Sequence, residues 1–193
     1  MYCKMKGKII ILSAPSGTGK STIIKPLMAT RPDLDLKFSI SATSRRPREG
    51  EMDKREYYFL TEEEFRRKID NDEFVEWEEV YEGTFYGTLY SEIMSKVEAG
   101  HTVIMDVDVK GSINIKKRFG DQALAIFIMP PSIQELEVRL HNRGTDSVDE
   151  VARRLAKAGY EMTFAADFDC IVINDDFFKA ADEVADKIKE FNP

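Results

Sequence analysis

Residues 14 to 21 read Ala-Pro-Ser-Gly-Thr-Gly-Lys-Ser. A lysine and a hydroxyl side by side, reached through two glycines, are suited to holding phosphate. In the spacing G-x-x-x-x-G-K-[ST], successive backbone N–H groups turn inward as an anion nest. The helix that follows adds its positive N-terminal partial charge. Here Ala14 stands at the leading glycine position, and the run Ala14, Pro15, Ser16, Gly17, Thr18, Gly19, Lys20, Ser21 and Thr22 is expected to line a nucleotide. Gly17 and Gly19 remove the Cβ atoms that would keep a phosphate off the backbone. Lys20 is placed to reach the terminal phosphates and Ser21 to ligate Mg2+. The stretch predicts a site for ATP or GTP without saying what the nucleotide is for.

A second group crowds around one proline: Arg45, Arg46 and Arg48 flank Pro47 in a chain whose formal net charge is −7. Arg45 and Arg48 can present two guanidinium forks to one phosphate, and Tyr57 and Tyr86 can add neutral O–H donors. An exposed basic loop on an acidic protein has the same composition. A third candidate lies in EFVEWEEVYEGTFYGT, where strand alternation sets Glu76 on one face with Phe74 and Glu78. Guanine offers N1–H and N2–H2 as two parallel donors that one carboxylate accepts. Adenine carries an acceptor at N1 and would leave that carboxylate unpaired, at a cost of about 1–3 kcal/mol. A solvated surface acid also fits this pattern.

The totals narrow the classes. A pI near 5.1 argues against coating nucleic acid, which rests on a basic face. Two cysteines, Cys3 and Cys170, make no disulfide framework and suit a reducing cytoplasm. No apolar run approaches the roughly 20 residues a membrane span needs, and the short run after the N-terminal lysines is not a secretory signal. His101 and His141 stand far apart, with no metal-ligand spacing around either.

The elements that must position these groups follow from periodicity. Lys8 to Ser13, Phe38 to Ala42, Thr102 to Val107, Ala123 to Met129 and Cys170 to Asn174 are apolar, β-branched-rich runs, most of them separated by helical patterns. That alternation predicts an α/β fold with a parallel sheet of about five strands, and ligands at the strands' C-terminal rim. Thr61 with Glu64, Ser132 with Glu135 and Ser147 with Glu150 fit capping boxes, and Gly100 fits a helix stop. Residues 38–90 contain short β-like pieces around one helix and read as a small mixed α/β lobe inserted in the core. Residues 139–157 are arginine-rich and read as a mobile flap.

These motifs occur in one order along nearly the whole chain. The pattern SxTSRxPRxGExxxxxYYF spans Ser41 to Phe59, and FVEW, YGT, MDVDVKG, PPSIQELEVRLHNRGT and VIND follow. In this the chain resembles guanylate kinases, P-loop nucleoside monophosphate kinases that phosphorylate GMP with ATP. The resemblance implies a P-loop core (1–37, 91–138 and 158–193), a GMP-binding lobe (38–90) and a helical lid (139–157). It implies that Arg45, Arg48, Tyr57 and Tyr86 hold the GMP phosphate, and that Glu76 reads guanine with Ser41, Thr88 and Asp108. Arg139, Arg143 and Arg154 would close over the ATP phosphates, Asn174 would lie near the adenine, and Asp106 would orient Mg2+. A buried acid capping a neighbouring loop is the other reading of Asp106. Lys54 stands where the family often has glycine.

Phosphoryl transfer asks for two anions in line with their charge screened, and for closure that excludes water. A kinase acting on AMP, CMP or dTMP shares the P-loop and the arginines, and only Glu76 beside Thr88 favours guanine. Non-catalytic modules of the same fold bind phosphorylated peptides, but their P-loops are typically degraded, whereas Gly17, Gly19, Lys20 and Ser21 are all present here, as are the lid arginines. Monomer and homodimer remain open.

Overall fold

The computed structural model describes residues 6–142 and 147–192. The chain runs β1 (Ile9–Ser13), α1 (Lys20–Thr30), β2 (Leu36–Phe38), β3 (Ala42–Thr43), β4 (Tyr58–Phe59) and α2 (Glu62–Asp70). It continues as β5 (Phe74–Tyr81), β6 (Thr84–Leu89), α3 (Tyr90–Glu98), β7 (Thr102–Asp106), α4 (Val109–Phe119) and β8 (Ala123–Met129). Helices α5 (Ile133–Asn142) and α6 (Val148–Met162), strand β9 (Cys170–Ile173) and helix α7 (Phe177–Phe191) complete it.

Five strands form a parallel sheet in the order β2-β7-β1-β8-β9. The central strand β1 is buried along its whole length because helices cover both faces, which is why it reads as unbroken apolar residues. Its alternation feeds two layers. Ile10 and Leu12 pack with Ile23 and Leu27 of α1 and Val184 and Ile188 of α7. Ile9 and Ile11 pack with Ile93 and Val97 of α3, Ile115 of α4 and Phe127. The C-terminal ends of β1, β7 and β9 carry the P-loop, Asp106 and Asn174 to one rim.

A second, four-stranded sheet, β4-β3-β6-β5, is mixed: β3 is parallel to β4, and the other pairings are antiparallel. It folds around Phe65 of α2, whose ring stacks at 4.3 Å on Phe74 and 5.3 Å on Phe85. Burying such a ring completely is worth about 1.5–3 kcal/mol.

Several expectations needed correction. Phe38 to Ala42 is not one core strand. After Phe38, Ser39 N–H donates to Ile104 O, then the chain leaves the parallel sheet and residues 42–43 join the other one. The arginine segment therefore follows a lobe strand, not a core strand. Two capping boxes close on both sides, at Thr61–Glu64 and Ser147–Glu150. At Ser132 only half forms: its hydroxyl accepts Glu135 N–H, while the Glu135 carboxylate takes Arg139 instead. A bulge in β5 between Phe74 and Glu76 breaks the expected alternation, so Phe74 packs with Phe65 and Phe85 instead of sharing the face of Glu76. Lys54 adopts φ 63°, the left-handed region, so the turn keeps the backbone a glycine would give it. Around the arginine-rich stretch, α5 and α6 pack on each other through Leu136, Leu140, Val151 and Ala158.

Candidate active site

The P-loop begins where β1 ends. Gly17 and Gly19 have φ of 100° and 98°, which side chains with a Cβ rarely adopt. Helix α1 starts at Lys20 with no side-chain cap and no acid in its first turn, so its N-terminal amides and dipole remain available to an anion. Two contacts hold the loop. Asn174, 3% exposed, donates its amide to Thr18 O at 2.7 Å. Arg154 donates to Ser16 Oγ at 3.3 Å, bringing α6 to the loop. Glu161, also on α6 and buried, lies beside the loop, and burial pushes its carboxyl up from the usual range. Helix α5 closes in as well: a Cβ on Gly17 would lie 2.7 Å from Leu140 Cδ2. Lys20 reaches across to β7 and pairs with Asp106 at 2.7 Å. Ser21 is exposed, and the Thr22 hydroxyl donates back to Gly19 O.

The arginine cluster is organised by a residue to which no role had been assigned, Glu51. Its carboxylate accepts Arg45 Nη1 at 2.8 Å and Nη2 at 3.0 Å, and also the Arg48 backbone N–H at 2.7 Å. Those bonds, Arg45 first, hold the Glu51 carboxyl down at about 2 and raise the Arg45 guanidinium further. Arg45 Nε donates to Tyr86 Oη at 3.2 Å, and its guanidinium lies over the Tyr57 ring, 5.4 Å from the centroid. Tyr57 and Tyr86 meet edge-on at 5.9 Å. Register explains the grouping: Thr43 pairs with Tyr86, so Arg45, two residues beyond, falls beside it. The signal for Glu51 was in the sequence, an acid that with Glu49 closes an arginine-rich loop.

Two residues along β6 from Tyr86, Thr88 faces Glu76 across the β5–β6 ladder, and its Oγ1 donates to Glu76 Oε1 at 2.7 Å. Burial pushes the Glu76 carboxyl up to about 7. The Thr88 hydroxyl opposes the shift, and the nearby Asp108 and Glu78 carboxylates add to it. Asp108 caps α4, its Oδ1 accepting Gly111 N–H at 2.7 Å. A Cβ on Gly111 would lie 3.0 Å from Glu76 Oε2 and 3.1 Å from Asp108 Oδ1, so the two acids converge on one glycine. The Asp108 carboxyl, with burial, pushes the neighbouring Glu78 carboxyl up; against its own burial, Asp108 is held down by Glu78 and by the Gly111 N–H. Ser41 lies just before β3, and its carbonyl accepts Tyr58 N–H at 2.9 Å.

Both groups lie near the P-loop side: Lys20 is near enough to Asp108, and Asp106 to Tyr57, for each charge to act on the other group. Arg139 is engaged elsewhere, on Glu135 at 3.0 Å and on Asn174 O at 2.8 Å, tying α5 to the loop after β9. Asn174 itself is buried beneath the P-loop, so its side-chain amide braces that loop. Arg143 lies outside the described residues.

The family model described as guanylate kinase matches residues 6–191. A guanylate kinase of Bacteroides thetaiotaomicron is 54% identical over 97% of this chain and 91% of its own length. One from Porphyromonas gingivalis is 53% identical over 95% of this chain and 97% of its own. The crystal structure of guanylate kinase from Anaplasma phagocytophilum superposes with a TM-score of 0.74 at 29% identity, over 95% of this chain and 85% of that one. The chain belongs to the guanylate kinase family.

Proposed function

We infer that this protein transfers the γ-phosphoryl group of ATP to GMP, and to dGMP, giving ADP and the nucleoside diphosphate. The observation that carries the reading is a phosphate nest at the start of α1 together with an arginine–tyrosine cluster beside the buried Glu76–Thr88 pair. Glu76, when ionised, accepts guanine N1–H and N2–H2, with Ser41, Thr88 and Asp108 around it. Arg45, Arg48, Tyr57 and Tyr86 hold the GMP phosphate. P-loop amides and Lys20 hold the β- and γ-phosphates of ATP, Lys20 leaving Asp106 to do so. Arg154, already against Ser16, covers the phosphates with Arg143; Arg139 joins them only by giving up its bonds to the Asn174 and Asp175 carbonyls. No general base is needed, because the attacking phosphate oxygen is already ionised. The work is alignment and charge screening.

Among the described residues no three acids, histidines or cysteines gather as a metal cage. The Ser21 hydroxyl and the Asp106 carboxylate are hard oxygen donors, which suits an Mg2+ ion that arrives on nucleotide phosphates and keeps several waters. When bound, the ion would screen the phosphate charge. A cytoplasmic setting is part of the same proposal; among the described residues no helix is long and apolar enough to cross a membrane.

A coupled ADP-release assay with ATP and Mg2+ tests the reading against GMP, dGMP, AMP, CMP and dTMP. Release with GMP and dGMP alone is expected. Release with AMP or dTMP would overturn the base assignment, and no acceptor-dependent release would overturn the activity.

A further inference from the structure

One buried carboxylate joins the two sheets. The chain leaves the parallel sheet after Phe38, crosses through residues 39–41, and returns at Leu89 into α3. Glu92 lies in the first turn of α3 and is 7% exposed. Its Oε1 accepts Ile40 N–H at 3.0 Å, and its Oε2 accepts the Tyr58 hydroxyl at 2.8 Å. Lys96, one turn along the helix, pairs with Oε1 and also donates to Phe38 O at 2.9 Å. The outgoing crossing, the returning crossing and the edge strand β4 therefore meet on one side chain.

The neighbours of those contacts give the network its consequence. Ser41 follows Ile40, and Tyr57 precedes Tyr58. The Ser41 carbonyl also accepts Tyr58 N–H, so the two segments are locked to each other as well as to Glu92. Burial, with Glu92 beside it, pushes the Tyr58 phenol up to about 12, so its O–H remains a donor across the neutral range. No motif drew attention to Glu92, because it contacts neither the P-loop nor the arginine cluster.

We propose that Glu92 is a positioning residue of the acceptor site: through Ile40 and Tyr58 it fixes the two segments that carry Ser41 and Tyr57. This rests on reading that site as the GMP site. Without the carboxylate, Ile40 N–H, Tyr58 O–H and the Lys96 ammonium lose a shared acceptor, and the acceptor must order both segments when it binds. ATP enters through the P-loop, which Asn174 and Arg154 hold, and is not affected.

Steady-state kinetics with GMP and ATP varied separately test the proposal. Glu92→Ala is expected to raise the GMP KM about tenfold, the loss of one or two net hydrogen bonds, and to leave the ATP KM within about twofold. Glu92→Gln is expected to recover most of it, because its amide oxygen accepts Ile40 N–H while its NH2 donates to the Tyr58 oxygen. Tyr58→Phe removes one arm and is expected to raise the GMP KM about threefold, which decides the matter if Glu92→Ala does not fold. An unchanged GMP KM in Tyr58→Phe, equal rises in both KM values, or no recovery in Glu92→Gln would each overturn the proposal. A wild-type protein that does not turn over GMP would refute the functional reading on its own. Calorimetric GMP binding would then carry the same three comparisons.

Discussion

Glu76→Gln should make the protein more stable and a worse enzyme, and the two effects should separate with pH. The native state keeps the Glu76 proton up to about pH 7, whereas the unfolded chain releases it near the ordinary value of 4.5. Folding therefore loses stability as pH rises through that window, by about 1.4 kcal/mol per pH unit of the difference. Above pH 7 the accumulated cost is about 3 kcal/mol for this largely buried group. Glutamine keeps an oxygen for the Thr88 hydroxyl and carries no charge to desolvate, so it removes most of that cost. In a chain of 193 residues, 3 kcal/mol corresponds to a rise in Tm of roughly 6–12 °C. Thermal unfolding at pH 8 should show this gain, shrinking to under about 1 kcal/mol at pH 5. Turnover should move the other way. A glutamine presents one acceptor and one donor to two guanine donors, leaving one pair unmet, and kcat/KM for GMP should fall by about tenfold to several hundredfold. A pH-independent change in stability, or unchanged GMP turnover, would refute the assignment of Glu76 as a buried acid that ionises to read guanine.

Guanine recognition needs the ionised carboxylate, so the wild-type GMP Kd should rise about tenfold between pH 8 and pH 6 relative to Glu76→Gln, measured by calorimetry in parallel so that the phosphate's own ionisation cancels. Arg45→Ala should lower kcat/KM for GMP by about 100-fold or more with the ATP KM little changed; equal loss for both substrates would contradict its place at the acceptor phosphate. Gly17→Ala combines a φ of 100° with a Cβ 2.7 Å from Leu140, so it should lower stability by about 1–3 kcal/mol and raise the ATP KM selectively, read by thermal unfolding and kinetics.

The P-loop and the parallel sheet were legible because each is local. An apolar run, two glycines and a lysine declare themselves within a dozen residues, and β1 and α1 formed where they were expected. The second strand misled because Phe38 to Ala42 is uniformly strand-like, while the exit from the core is set by Glu92, which lies 52 residues from Ile40. Glu51 went unassigned because its importance depends on what it touches, the Arg45 guanidinium and the Arg48 amide. Thr88 and Asp108 entered only through family resemblance. Composition cannot distinguish a buried threonine opposite a carboxylate from an exposed one.

Arg45 has five N–H groups, and four of them are engaged within the protein, one by Tyr86, one by the Arg46 carbonyl and two by Glu51. The side chain is thus a prebuilt bracket, and a phosphate meets one remaining donor aimed in a fixed direction. The rotamer entropy of a free arginine, about 0.5–1.5 kcal/mol, is lost at folding and does not count against binding. A lysine would keep the charge but could not fill four internal partners and still face the ligand, so the shape of the group, as much as its charge, makes this position intolerant of exchange.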